Sequence, residues 1–289
     1  MQTGTTVSTQ ERTLVPGTDL RAVPWWALIV VGTGFLLLYL ILADPDYRDT
    51  FLFIARGIKV TLRITLSAYA IAVTWGLIVG LGRTSKNPII YNLATLYVEV
   101  LRGIPMIVQI LYMAFVFVPL VVGLGKTLGE WGLTWAQGTP LEGMFAGLAG
   151  WSVRSISLEM RAILALGLGY AAYEAEVFRA GIQSIGKGQW EAAYSIGMTY
   201  FQTLRLVILP QAIRRVLPPL GNDFVALLKD SSLATVIAVR EITQLSRLRK
   251  AATFRPKEAF NVVAFLYLSM TLFLSSVVRY IERRMKVPH

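Results

Sequence analysis

Apolar residues in this chain fall in long uninterrupted runs rather than in the two- or three-residue clusters of a soluble helix or strand. Residues 24–43 contain no charge; at about 1.5 Å per residue such a run spans about 30 Å, the depth of a bilayer's hydrocarbon core. Trp25 and Trp26 open it, where interfacial aromatic residues gather, and Asp44-Pro45-Asp46 closes it. A second span is expected over 58–82, with Lys59 and Arg63 near its start and the small residues Gly76 and Gly80 four apart. That spacing suits close helix packing, although glycine is also simply commoner in membrane helices.

Residues 89–122 are apolar for too long to be one untilted span and too short for two, so one long helix is expected, bent at Arg102-Gly103-Ile104-Pro105. The Gly-, Trp- and Thr-rich stretch 123–157 reads as a solvent-side loop with an interfacial helix. Further spans are expected over 158–182, over 216–239, broken by Pro218 and Pro219, and over 260–280. The pattern predicts an all-α integral membrane protein of about six transmembrane helices. Residues 1–23 are polar, read as a flexible tail, and lack the profile of a cleaved signal peptide.

Composition agrees with the pattern. Of 289 residues, 55% are hydrophobic and 16% charged, with mean hydropathy +0.57; soluble domains carry about 25% charged residues. There is no cysteine, and His289 is the single histidine, so disulfides, thiolate metal sites and histidine-based catalysis have no residues to use. The net charge of +11 fits basic loops at lipid headgroups rather than nucleic acid. If the N-terminus is cytoplasmic, inside segments carry only slightly more Lys and Arg than outside ones, because Arg247, Arg249, Lys250, Arg255 and Lys257 fall outside. Charge alone leaves the orientation open.

The polar segment 183–215, between two spans, is the most informative. Trp190–Ser195 reads as a short helix of good helix formers, Gly197 ends it, and a second short helix over 200–209 is expected to stop at Pro210. A polar helix-turn-helix held between membrane spans suits docking of a soluble partner. The order is Glu191-Ala192-Ala193, Gly197, Val207, then Leu209-Pro210. It resembles the E-A-A loop of ABC importer permeases, with Val207 where isoleucine is usual.

Residues 172–182, containing Ala172-Tyr173, Glu176, Arg179 and Gly181-Ile182, resemble the A-Y-x-x-E-x-x-R-x-G-I block of the polar amino acid branch, the histidine, glutamine and arginine permease type. Glu99, Arg102-Gly103 and Pro105 resemble its E-x-x-R-G-x-P block. The resemblance covers about 57–285 and leaves out the first helix and the insert 123–157. It implies a type I importer permease fold with multi-pass placement in a bacterial inner membrane. Glu191, Ala192, Ala193, Gly197, Leu209 and Pro210 would then contact a cytoplasmic ATPase dimer. It also implies a second permease chain and an extracytoplasmic substrate-binding protein. No cofactor would bind directly; ATP and Mg would sit on the partner ATPase.

Ionisable residues at membrane depth are costly and face a cavity or a partner. Glu99, Arg102, Glu174, Lys229 and Asp230 are candidates to line a substrate pathway, where a cation would meet a carboxylate and an acid an ammonium. Glu176 and Arg179 are three apart and read as a structural ion pair; Glu99 and Arg102 repeat the spacing, so pairing remains open for them too. Gly181 to Lys187 has the spacing of a phosphate-binding loop, but Gly188 stands where the Mg²⁺-binding hydroxyl belongs, and a membrane helix precedes it instead of a strand. Hydrolysis is therefore expected in another polypeptide. An ion-coupled secondary transporter is the alternative, but no internal repeat supports it.

Overall fold

The computed structural model describes residues 25–285, and every regular element among them is helical. The tail 1–23 and the last residues, with His289, lie outside the described residues. In chain order the α-helices are α1 (Trp25–Ala43), α2 (Pro45–Ala55), α3 (Ile58–Gly82), α4 (Pro88–Gly103), α5 (Met106–Tyr112), α6 (Val118–Ala136), α7 (Glu142–Ala149), α8 (Leu158–Gln183), α9 (Lys187–Ser195), α10 (Tyr200–Thr203), α11 (Leu209–Asp230), α12 (Ile242–Thr253) and α13 (Pro256–Met285). π-helical turns at Met113–Phe117 and Leu204–Ile208 join α5 to α6 and α10 to α11 without a break. By length and composition, Pro45–Gly82, Met106–Ala136 and Pro256–Arg284 can cross a membrane. With α1, α8 and α11 they account for the six long apolar or semi-apolar segments read from the sequence.

Helices α3 and α8 form the centre. They run parallel: Arg63 meets Glu159 at 3.1 Å near their starts, and Gly80 lies against Ala175 and Phe178 near their ends. A Cβ on Gly76 would fall 2.6 Å from the Glu174 Cβ, and one on Gly80 would fall 2.8 Å from the Ala175 carbonyl oxygen. The two glycines are therefore what lets the backbones approach, which decides between the two readings of that spacing. Buried Ile64, Ala68, Ala72, Leu166 and Tyr170 fill the seam, with Ile110, Leu227 and Ile237 packed from neighbouring elements.

The structure corrects the sequence reading at its prolines. At Pro105 the chain does not bend but breaks: Ile104 is extended, and α4 ends at Gly103. The Gln109 amide nitrogen donates to the Leu101 and Ile104 carbonyls at 2.7 and 2.8 Å, satisfying acceptors that the break exposes. The helix after the break runs to Ala136, so 123–157, expected as a loop with an interfacial helix, holds the end of α6, then the short helix α7 and irregular turns up to α8. At Pro210 the expected stop is absent. The preceding π turn bonds Leu209 N–H to the Leu204 carbonyl and hands the helix on, so that Pro210 falls in the first turn of α11. Pro218 and Pro219 lie inside α11 without breaking it. Their missing N–H groups leave the carbonyls of Arg214 and Arg215 without their usual helical donors.

The basic segment 247–257 sits beside α2, at the start of α3. Much of its charge is engaged there: Arg255 pairs with Asp46, Arg249 Nε donates to the Thr50 hydroxyl at 3.2 Å, and Lys250 lies over the Phe260 ring.

Candidate coupling surface and substrate pathway

The segment 183–215 folds as a hairpin of α9 against the start of the α10–α11 helix. Gly186 precedes α9, and Gly197 ends it with φ +81°. There the Gly197 N–H donates to the Tyr194 carbonyl at 2.9 Å and the Met198 N–H to the Ala193 carbonyl at 3.1 Å. Such a left-handed exit favours glycine. Thr199 then opens α10 with a capping box: its hydroxyl accepts from Gln202 N–H, while the Gln202 side chain accepts from Thr199 N–H. Trp190 stacks on Tyr200 with ring centroids 5.6 Å apart, closing the hairpin.

Glu191, Ala192 and Gly197 are exposed, whereas Ala193 is buried. Ala193 thus packs inside the hairpin, while Glu191 and Ala192 face outward. Leu209 is half-buried and Pro210 exposed, at the hairpin's base. Sequence reasoning passed over Ile196 and Phe201, both more than three-quarters exposed at the tip, with Tyr194 beside them. An aliphatic and an aromatic side chain held in the open beside a turn glycine are the signal that could have found them.

The base of the hairpin is locked to the membrane helices. Ile182, Ile185, Ile208 and Ala212 form a buried cluster that takes in Leu81 of α3 and Trp190. Gln211 donates to the Gln189 side chain at 3.1 Å, and Arg215 donates to the Ser184 carbonyl. Val216 of α11 packs where Gly181 leaves room on α8.

Above the hairpin, Arg83, Glu99, Glu176 and Arg179 form one ionic group. Arg83 donates to Glu176 at 2.7 Å and stands 3.8 Å from Glu99, and Arg179 pairs with Glu176. Glu99 therefore engages Arg83 from another helix, not Arg102. The Arg102 guanidinium lies 5.4 Å from the centre of the Tyr173 ring, a cation–π contact. Arg83, in the turn that follows α3, joins α3, α4 and α8.

Deeper in the fold, Glu174 is wholly buried, and neither carboxyl oxygen has a hydrogen-bond partner. Asp223 of α11 stands near enough for the two charges to act on one another, and Tyr69 lies between α3 and α11, donating to the Leu220 carbonyl at 2.8 Å. Asp230 accepts from the Tyr170 hydroxyl at 2.8 Å. Lys229, next to it, is exposed. The candidates thus separate into two groups: Glu174 and Asp230, with Tyr69, Tyr170 and Asp223, inside the α3–α8–α11 core, and Glu99 and Arg102 near α4. Among the described residues no cluster of acidic, histidine or cysteine side chains could hold a metal.

Spans wrapped around buried polar groups, with a polar hairpin rigidly fixed to two of them, define a membrane permease driven from outside its own chain. Residues 72–287 match the family model of the binding-protein-dependent transport system inner membrane component, and the chain belongs to that family. The glutamine transport system permease protein GlnP of Escherichia coli K12 is 35% identical over 231 residues, covering 80% of this chain and 92% of that protein. The probable amino-acid permease protein YxeN of Bacillus subtilis 168 is 32% identical over 234 residues, covering 81% and 92%. A crystal structure of an amino acid ABC transporter with histidines superposes with TM-score 0.65 at 32% identity, covering 84% of this chain and 98% of that one. An inward-facing MetNI methionine ABC transporter shares the fold at TM-score 0.63 and 20% identity, covering 82% and 97%. The fold is that of the type I ABC importer permeases. The chain is a permease subunit, not a secondary transporter and not an enzyme; ATP hydrolysis belongs to a separate ABC subunit.

Proposed function

We propose that this permease carries polar amino acids into a bacterium across its inner membrane by alternating access. The observation that carries the reading is the α9–α10 hairpin, exposed and apolar at its tip, buried and bonded to α3, α8 and α11 at its base. In this reading the tip sits in the cytosol in a groove of an ATPase dimer that binds ATP and Mg. One hairpin engages one ATPase, so two permease chains, identical or sister, complete the transporter. A binding protein delivers substrate on the other face. No cofactor binds this chain itself.

Closure of the ATPases moves the tip, and the locked base carries α8 and α11 with it. The polar groups of the α3–α8–α11 core then change the side from which they are reached. A zwitterion carries one charge of each sign; this region offers acids in Glu174, Asp223 and Asp230 for the ammonium group. Similarity to amino-acid permeases along most of the chain supports the substrate class.

Two measurements test the reading. Purification of the chain should bring down a tight ATPase subunit, and Ile196→Asp with Phe201→Asp should release it while the permease stays folded. Uptake of labelled Arg, Glu, Gln and His should fall for at least one of them in a deletion strain. Unchanged uptake of all polar amino acids overturns the substrate class. A permease that purifies alone from intact membranes overturns the coupling.

A further inference from the structure

Helix α6 has three separate faces. Leu120, Leu124, Leu128, Trp131 and Trp135 are each more than half exposed; at about 100° per residue they share an arc of roughly 80°. A second arc is glycine and alanine. Gly129, Gly132 and Ala136 are buried against α7, so closely that a Cβ on Gly129 would meet the Ala149 backbone nitrogen at 2.2 Å. The third arc is polar, with Lys126 and Glu130 paired at 3.7 Å beside Thr127. At its far end Trp135 meets the Phe145 ring of α7, centroids 5.3 Å apart; among the described residues Leu120, Leu124, Leu128 and Trp131 stay more than half exposed.

The position of α6 indicates what covers it. Ala114, one turn before α6 begins, accepts from the Arg161 guanidinium at 2.9 Å near the start of α8, the end of α8 remote from the coupling hairpin. α6 therefore begins at about the level where α8 starts. A π turn at Met113–Phe117 and Pro119 just after it are the two features that turn a helix from its axis. Had α6 continued through lipid, its polar arc would be stranded; had it stood in water, five large apolar side chains would be exposed on one line. An apolar arc continuous with the lipid-facing side of a spanning helix, a polar arc opposite, and two tryptophans at the far end are what a helix lying along a bilayer surface requires.

We propose that α6 and α7 form a membrane-surface hairpin. The Leu120–Trp135 stripe is seated at the boundary of headgroups and acyl chains in the leaflet opposite the coupling hairpin, with α7 held above it by the glycine seam. The occupant of the stripe is lipid, and the inference is independent of which substrate the permease carries.

The chain contains no cysteine, so single cysteines can be labelled uniquely. Leu124→Cys, Leu128→Cys, Lys126→Cys and Glu130→Cys, each carrying a nitroxide, are placed in the assembled transporter with cysteine-free partner subunits in phospholipid nanodiscs. Accessibility to oxygen and to a nickel chelate is then read by spin-relaxation. The oxygen-to-nickel ratio at 124 and 128 should exceed that at 126 and 130 several-fold. Nickel access at all four sites means the hairpin projects into water and overturns the proposal. Low access to both reagents at 124 and 128 means a protein surface covers the stripe, and also overturns it. A high oxygen-to-nickel ratio at all four sites means the hairpin is sunk in the bilayer, and overturns it as well.

Discussion

Gly197 gives a direct test of whether the shape of the coupling hairpin matters to transport. Its φ of +81° is a conformation that a Cβ makes costly, by about 1–2 kcal/mol for an ordinary L-residue. A Cβ built there meets nothing within 4 Å, so the penalty is backbone strain with no steric part. Gly197→Ala should therefore weaken the closed hairpin by about 1–2 kcal/mol, a factor of roughly 5 to 30 in its population. Gly197→Asn should cost less, because a short polar side chain tolerates the left-handed region. Gly197→Val should cost most, since a β-branched residue at positive φ is an outlier. The assay is binding-protein-stimulated ATP hydrolysis in reconstituted transporter, alongside hydrogen exchange at Met198 N–H, which donates to the Ala193 carbonyl. Both should follow the order Gly, Asn, Ala, Val. Ala equal to wild type, or Asn worse than Ala, would refute the strain argument. An order that follows side-chain volume alone would mean the ATPase groove touches this position.

Gly76→Leu should separate α3 from α8, because its Cβ alone would stand 2.6 Å from that of Glu174. Overpacking of this kind costs about 1–3 kcal/mol, read as a lower melting temperature in detergent, whereas Gly34→Leu, with nothing within 4 Å, should be neutral. Arg83→Gln should loosen the α3–α4–α8 junction, since its guanidinium is nearly buried and serves both Glu176 and Glu99; Arg102→Gln should cost much less, and equal losses would count against the network. Glu174→Gln should leave the melting temperature unchanged or higher, because the carboxyl it removes is buried without a partner, yet should lower transport; full uptake in that variant would show that the acid is not used. Gln109→Leu should destabilise the break at Pro105 by about 1–3 kcal/mol through two unsatisfied carbonyls, measurable by thermal unfolding.

What the sequence displayed and what it hid divide along the range of the interactions. The span 58–82 matches α3 residue for residue because its signal, apolar length bounded by polar turns, is wholly local. The amphipathic α2 went unseen because its sequence, with Asp44 as its cap, reads as the end of a span. Prolines carried the same signal at 105, 210 and 218–219 and had three different outcomes. Those outcomes depend on surroundings a proline does not specify: an extended Ile104 at 105, a preceding π turn at 210, and a helix that continues past both rings at 218–219. Ionic partners were the least legible. Spacing of three suggested Glu99 with Arg102, but the charge that meets Glu99 is Arg83, sixteen residues earlier in the turn between α3 and α4.

That same junction bears on how motion could travel. Arg83 follows α3, Glu99 lies on α4, and Arg179 and Glu176 stand about one and two turns before the end of α8, where the hairpin begins. The buried cluster of Ile182, Ile185, Ile208 and Ala212 continues the join into α11. A push on the hairpin tip therefore meets no soft segment between α9 and the four helices above it: each connection is a packed aliphatic contact or a charge-assisted bond. Two departures from regular helix lie further along, the Ile104–Pro105 break and the left-handed Ala238 that follows the 3₁₀ turn Ser231–Ile237. Both flank the core that holds Asp230 and Tyr170. Force from an ATPase would then turn the coupling end as one body and be taken up as rearrangement beside the polar core, where a change of access is needed.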